Sequence, residues 1–353
     1  MKPILDLPDD PALPAIAAIR TAGLRAVLPT LDLAGDDAVE LRVCGYTPGS
    51  RVTLDVQAGQ QRVAIKVYAD DAEPEAALYR ALGTAGFGED GRAGARVPPL
   101  LAWEPALHVL AIGWLHGPPA NQVVKEGQGR RAGELAARWI WSAASAPVRL
   151  GPTVGVAQIL LQAGKSVARL AAVERGLGAA AKGVALGLAA APPPESAPRL
   201  VHGTLYARHI LDLGGEPGGP GVPGVIDWQR FGQGPVELDA GVFLATLTRL
   251  RRRHEDAAAQ ATRAEEAFLA ETRGLLERDT LRWYRAAALL HLAARLLKRD
   301  APAAARPIVD EAARLIKPAP VVPRAAALEL VLRALSTRPA TPEELEEIRR
   351  LLS

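Results

Sequence analysis

Cysteine is almost missing from this chain. The single one, Cys44, cannot close an intramolecular disulfide, and it leaves no multi-cysteine zinc or iron–sulfur site to seek. A reducing compartment fits that usage. A large excess of one charge is missing too, since 42 Lys and Arg stand against 39 Asp and Glu, a formal net charge of +3 over 353 residues. So small an excess does not announce a nucleic-acid or membrane surface. The densest basic run, Arg249 with Arg251, Arg252 and Arg253, is expected on a solvated helix face. Long apolar runs are lacking as well: nothing approaches the roughly 18 uninterrupted apolar residues of a membrane span. Gly176 to Ala191 comes nearest, and Lys182 interrupts it. The start, MKPILDLPDD, has no basic segment leading into an apolar one, so no signal peptide is read there. A cytoplasmic protein with no membrane and no nucleic-acid partner is expected.

What the chain does have is 49% hydrophobic and 23% charged residues, a globular composition. At roughly 150 residues per domain, its length suggests two domains or one bilobal one. From Val39 to Tyr68 apolar and polar residues alternate around turns at Thr47-Pro48-Gly49-Ser50 and Ala58-Gly59-Gln60-Gln61, which predicts three antiparallel strands. Cys44 is expected as a buried strand residue. Glu73-Pro74-Glu75 opens a helix, because proline suits a first turn and acidic residues favour the positive end of the helix dipole. The glycine-rich stretch from Gly83 ends it, and a hairpin over Leu100–Trp103 and His108–Trp114 follows. After Gly117-Pro118-Pro119 the character changes to Ala/Leu/Arg-rich segments at helical spacing, as in Ala132–Ala146 and Gly155–Leu177. A β-like island over Leu200–Trp228 interrupts them, and beyond Asp239 helices resume, the last capped by Thr341-Pro342-Glu343-Glu344.

Val63-Ala64-Ile65-Lys66 lies on the third strand, where alternation puts Ala64 and Lys66 on one face. A small residue beside a lysine gives a nucleotide cleft a flat surface for a base and a cation for phosphates. Glu75, nine residues on, is placed to pair with Lys66. Alone, the four residues fit an edge lysine in solvent better.

Two further segments remove that ambiguity. Leu200-Val201-His202-Gly203-Thr204-Leu205-Tyr206-Ala207-Arg208-His209-Ile210-Leu211 is followed by Gly224-Val225-Ile226-Asp227-Trp228, a Gly232-Gln233-Gly234-Pro235 turn and the helix-start acid Asp239. In order and spacing these segments resemble the aminoglycoside phosphotransferase and choline kinase group, small-molecule kinases of the protein-kinase-like fold. The resemblance spans about residues 39 to 300. It implies an α+β, bilobal fold: a small β-rich N-lobe over 1–112, a hinge over 113–117 and a larger α-rich C-lobe over 118–353, with the catalytic-loop hairpin at 200–228. It also implies ATP and Mg²⁺ as cofactors, with Ala64, Lys66, Glu75, Gly113 and Leu115 binding the nucleotide. Asp227 and His209 fall at the metal positions, and Thr204 at that of the catalytic base. Asp239 is expected to buttress the loop around His202.

The family pattern has aspartate where this chain has Thr204, and asparagine where it has His209. A threonine hydroxyl has no useful basicity near neutral pH, and imidazole is a poor partner for magnesium, which prefers hard oxygen ligands. Two readings follow. One is a catalytically impaired, pseudokinase-like binder of a nucleotide or small metabolite, for which a protein partner is natural. The other is an active ATP-dependent kinase acting on a hydroxyl of an aminoglycoside, sugar or amino alcohol. Asp212 and Glu216 are expected to serve turns in a Gly/Pro-rich loop, and Trp228, Trp283 and Tyr284 to be core.

Overall fold

A computed structural model of the chain describes residues 7–33, 39–88, 91–215, 221–297 and 302–316. The capped segment at 341 and Glu216 lie outside them. The chain divides into two compact units, Met1–Pro118 with Leu211–Gln229, and Pro119–Ile210 with Arg230–Ser353.

In the first unit, the alternating segment forms β1 (Val39–Thr47), β2 (Arg51–Ala58) and β3 (Gln61–Tyr68). The next hairpin supplies β4 (Leu100–Glu104) and β5 (Val109–Gly113). All five make one antiparallel sheet in the order β1-β2-β3-β5-β4. The register sets Val56 opposite Val63 and Leu54 opposite Ile65, so one face is continuously apolar. Two N-terminal helices, α1 (Pro14–Ala22) and α2 (Leu24–Val27), cover that face with Ile16, Ile19, Leu24 and Val27. Burial of each such aliphatic side chain contributes about 1.5–3 kcal/mol. Cys44 is exposed rather than buried, because β1 is the edge strand and its outward half meets solvent. The helix α3 (Glu73–Leu82) starts on Pro74 with Glu73 and Glu75 in its first turn, and runs on into a wider turn over Gly83–Phe87.

The second unit is mostly helical. Its helices are α4 (Ala120–Lys125), α5 (Gly129–Ser145), α6 (Val156–Val173), α7 (Arg175–Ala190), α8 (Val236–Arg253), α9 (Ala258–Glu271), α10 (Arg278–Leu296) and α11 (Pro302–Leu315). The predicted segment Gly155–Leu177 is broken at Glu174, which is extended at φ −149. There α6 turns back tightly onto α7: a Cβ on Gly178 would lie 2.5 Å from Ala171. Trp283 and Tyr284 sit in the core between α6, α7, α8, α10 and α11. The arginines at the end of α8 do not simply face solvent, since Arg251 pairs with Glu265 at 3.3 Å and Arg252 with Glu311 at 3.2 Å.

The β-like island resolves into nested pairs. β6 (Arg199–Val201) pairs with β9 (Gly232–Gly234), and β7 (Ile210–Asp212) with β8 (Pro223–Val225). Gly232-Gln233-Gly234, expected as a turn, is therefore a strand. Its glycines are needed because a Cβ at Gly232 or Gly234 would meet the Pro152 or Val154 carbonyl at 2.4 and 2.5 Å. Asp212 serves its turn as expected, its Oδ1 accepting from the Gly214 N–H at 2.9 Å.

Candidate functional site

The first unit brings Lys66 and Glu75 into a buried ion pair, Nζ to Oε1 2.5 Å, with each residue 5% exposed. Strand alternation aims Lys66 away from the apolar face, and the first turn of α3 presents Glu75 to it. The other carboxylate oxygen accepts from the Tyr68 hydroxyl at 2.5 Å, and the Tyr79 ring centroid lies 5.8 Å from Lys66 Nζ. Tyr68 was not among the sequence-predicted site residues. The signal was present, because it follows Lys66 by two positions on the same strand and so shares its face. Burial, then the Glu75 charge and hydrogen bond, push the Tyr68 hydroxyl well above the ordinary phenol range.

Ala64 stands in the same row, with Asp55 and Ile112 as cross-strand partners. Asp55 is 8% exposed and held by three arginine bonds: Arg62 Nε and Nη2 at 2.8 Å each, and Arg42 Nη2 at 2.7 Å. The Arg62 hydrogen bond outweighs burial and keeps the Asp55 carboxyl below its usual range. Arg62 in turn stacks 3.8 Å over the ring of Trp114. The surface beside Ala64 thus includes a planar guanidinium–carboxylate pair. Gly113 leads out of β5, where its N–H donates to the Pro99 carbonyl at 2.9 Å, and a Cβ would strike the Pro99 ring at 2.8 Å. Leu115 reaches to 3.0 Å of where a Cβ on Gly224 would stand.

Asp227 belongs to this unit also. Ahead of it, Arg96 N–H donates to the Pro223 carbonyl and Val225 N–H to the Arg96 carbonyl, both at 2.8 Å. Behind it, Gln229 Nε2 donates to the Tyr68 hydroxyl at 3.3 Å. The segment is therefore fastened on one side to the stretch that leads into β4 and on the other to β3, the strand that carries Lys66. Asp227 adopts φ 71, a left-handed conformation that costs a non-glycine residue roughly 1 kcal/mol or more. Its charge is felt at the buried Tyr79 hydroxyl, which burial first, then Glu75, Tyr68 and Asp227, drive well above the phenol range.

Thr204 and His209 lie in the second unit, on the loop between β6 and β7. Asp239, in the first turn of α8, accepts from the His202 N–H at 2.6 Å and the Gly203 N–H at 2.9 Å, the buttress expected from sequence. Burial raises its carboxyl from 3.8 to about 7, outweighing the two amides that lower it. Gly203 is obligatory: it sits at φ 76, and a Cβ would lie 2.1 Å from the Arg230 carbonyl oxygen. The Thr204 N–H is directed at His202 Nδ1 at 3.4 Å, so that nitrogen is the acceptor. His209 Nδ1 lies 2.9 Å from the Thr204 carbonyl, which can only accept, so Nδ1 carries the proton. The His209 ring is 3% exposed, with the His202 and Tyr206 rings at 5.4 and 5.2 Å.

This donor set does not fit magnesium. Asp227 offers a hard carboxylate, but His209, whose Nδ1–H goes to a carbonyl of its own loop, has only an imidazole nitrogen to offer, where the ion prefers oxygen in an octahedron. Among the described residues no group of three or more His, Cys, Asp or Glu is arranged to hold a metal. Nor is any helix among them long and apolar enough to cross a membrane.

A β-rich part carrying a buried lysine–glutamate pair, followed by a helical part carrying a His-Gly loop buttressed by an aspartate, defines a kinase-like fold. Residues 60–277 match the phosphotransferase enzyme family, APH. The chain belongs to that family. A thermostable aminoglycoside phosphotransferase, APH(4)-Ia, in ternary complex with ADP and hygromycin B superposes with a TM-score of 0.57 at 17% identity, over 78% of this chain and 94% of the other. A choline/ethanolamine kinase family protein from Mesorhizobium loti gives 0.50 at 18% identity, over 94% and 98%. Spectinomycin phosphotransferase, APH(9)-Ia, with ADP and spectinomycin gives 0.50 at 14% identity, over 83% and 95%. At such identities the likeness is one of fold. No curated protein matches.

Proposed function

We propose that this protein is a catalytically impaired phosphotransferase relative that binds a nucleotide or small metabolite at the Lys66 side of its first unit. The observation that carries the reading is the use to which the loop puts its two altered positions. The Thr204 carbonyl accepts from His209 Nδ1 and the Thr204 N–H is directed at His202 Nδ1, while the Thr204 side chain supplies no carboxylate base and that of His209 no oxygen ligand. Loss of a general base alone removes about 10²- to 10⁴-fold of rate, and phosphoryl transfer also depends on neutralising charge at the phosphate.

In this reading Lys66 meets the phosphates, and Glu75, braced by Tyr68, fixes its ammonium group. Ala64, Gly113 and Leu115 border the base, and Asp227 supplies negative charge opposite Lys66. Residues 113–117 act as the hinge between an N-lobe over 1–112 and a C-lobe over 118–353. The nucleotides held by the structural relatives support the nucleotide part. The intact Lys66–Glu75 pair with Asp227 also favours a second reading, an active ATP-dependent kinase for a hydroxylated small molecule.

Thermal unfolding with ADP or a non-hydrolysable ATP analogue tests the first reading. A nucleotide at 100 times its Kd raises stability by about 2.7 kcal/mol, and Lys66→Met should abolish the accompanying shift in Tm. No shift with any nucleotide defeats the binding claim. Ordinary kinase turnover by the wild-type protein on a panel of aminoglycosides, sugars and amino alcohols, followed by ADP release, replaces the impaired reading with the second.

A further inference from the structure

We infer that the second unit carries a separate binding surface for a small anionic ligand bearing a phosphate or carboxylate group, built from Arg169, Arg230 and Arg295 around Tyr206 and His291. The surface goes beyond the nucleotide reading, because every residue in it lies in the other unit.

Helix geometry gathers these groups. Gln162 and Arg169 are seven residues apart on α6, and His291 and Arg295 four apart on α10, so each pair shares a helix face. Gln162 Nε2 and His291 Nδ1 are 2.9 Å apart, which fastens the two faces together. Arg295 Nη1 then donates to the Tyr206 hydroxyl at 3.1 Å, with its Cζ 5.6 Å from that ring, while Arg208 stacks 4.4 Å from the same ring. Tyr206 stands two residues beyond Thr204, so this cationic surface begins at the loop itself.

Charge completes the case. Arg251, Arg252, Arg282 and Arg285 of the same unit each have a carboxylate partner. Arg169, Arg230 and Arg295 are all exposed, and among the described residues none of them lies in ion-pair range of an acid. All three charges are felt at His291, which burial first, then Arg295, Arg169 and Arg230, push down to about 4. The imidazole is thus neutral at pH 7 and adds no charge of its own. Converging cations without an acid repel one another, and an oxyanion relieves that repulsion while matching the guanidinium forks. A polycationic ligand would add to it.

Isothermal titration of the full chain at fixed ionic strength with inorganic phosphate, glycerol 3-phosphate and citrate tests the surface. At least one probe should bind, the two phosphate probes against citrate showing which oxyanion is preferred. The double variant Arg169→Gln, Arg295→Gln should weaken it about tenfold or more, as loss of a charged hydrogen bond does. Arg169→Gln alone, at an exposed position with no ion pair, should weaken it without altering the fold. Lys66→Met should leave it unchanged, so loss of ADP binding in that variant with retained anion binding separates the two sites. Three outcomes overturn the proposal: no probe binding to wild type, binding indifferent to both arginine changes, or loss of ADP binding in Arg169→Gln, which would assign the arginine to the nucleotide's own phosphates.

Discussion

At the scale of single residues, the Lys66–Glu75 pair buries two opposite charges against each other, and its energetics are asymmetric. Taking two charges out of water is costly, and the pair is stable only while each answers the other. Glu75→Gln should therefore destabilise the protein by about 3–5 kcal/mol, since it strands a buried ammonium. The double change Lys66→Met with Glu75→Leu should recover most of that loss. Urea denaturation midpoints measure both, and a double variant no more stable than Glu75→Gln alone would show that the loss does not come from a stranded charge. Lys66 and Glu75 were legible in the sequence because strand alternation and helix-start chemistry each fix a direction for one side chain. Asp55 was not, because an acid on the polar face of an alternating strand looks solvated until the cross-strand register delivers Arg42 and Arg62 to it. Cys44 was misjudged for a related reason: alternation reports which face a residue is on, not whether its strand is at the sheet's edge.

At the scale of elements, the loop between β6 and β7 depends on one carboxylate from α8. Asp239 is raised in the folded state to about 7 from an ordinary 3.8, so the fold favours its protonated form. The sign follows directly: its contribution to stability is full below about pH 4 and lost as pH rises through about 7. Subtracting the stability of Asp239→Asn, which cannot titrate, cancels most other groups. The wild-type advantage over that variant should shrink steadily between pH 4 and pH 8 in urea titrations. A difference that stays flat or grows would mean the carboxyl ionises freely in the native protein. The element itself was readable, since Asp239 sits at a helix start where the resemblance puts a loop-bracing acid. The β6/β9 pairing was not. Gly-Gln-Gly carries the composition of a turn, and only the close approach of the Pro152 and Val154 carbonyls explains why a strand needs those glycines. The break at Glu174 was hidden likewise, because α6 and α7 continue the same Ala/Leu-rich composition across it.

At the scale of the whole molecule, a change from alternating to helical spacing after Pro119 was enough to foresee a β-rich part followed by an α-rich one. Composition carries no comparable mark of activity, and the proposed impairment turns on two side chains, Thr204 and His209, in the loop between β6 and β7. Restoring them tests whether they are the cause. Thr204→Asp with His209→Asn supplies an anionic base and an oxygen ligand, although it also removes the bond from His209 Nδ1 to the Thr204 carbonyl. Thermal unfolding must therefore accompany the assay, and Gly203→Ala, which forces a Cβ into the Arg230 carbonyl, gives the signature of a loop that has simply collapsed. If the loop chemistry limits the protein, the double variant should release ADP faster than wild type by about 10²-fold or more with acceptors that carry both a hydroxyl and an anionic group. Equal rates in a folded double variant would place the deficiency elsewhere, with the charged Asp55–Arg62–Trp114 surface beside Ala64 the next element to change.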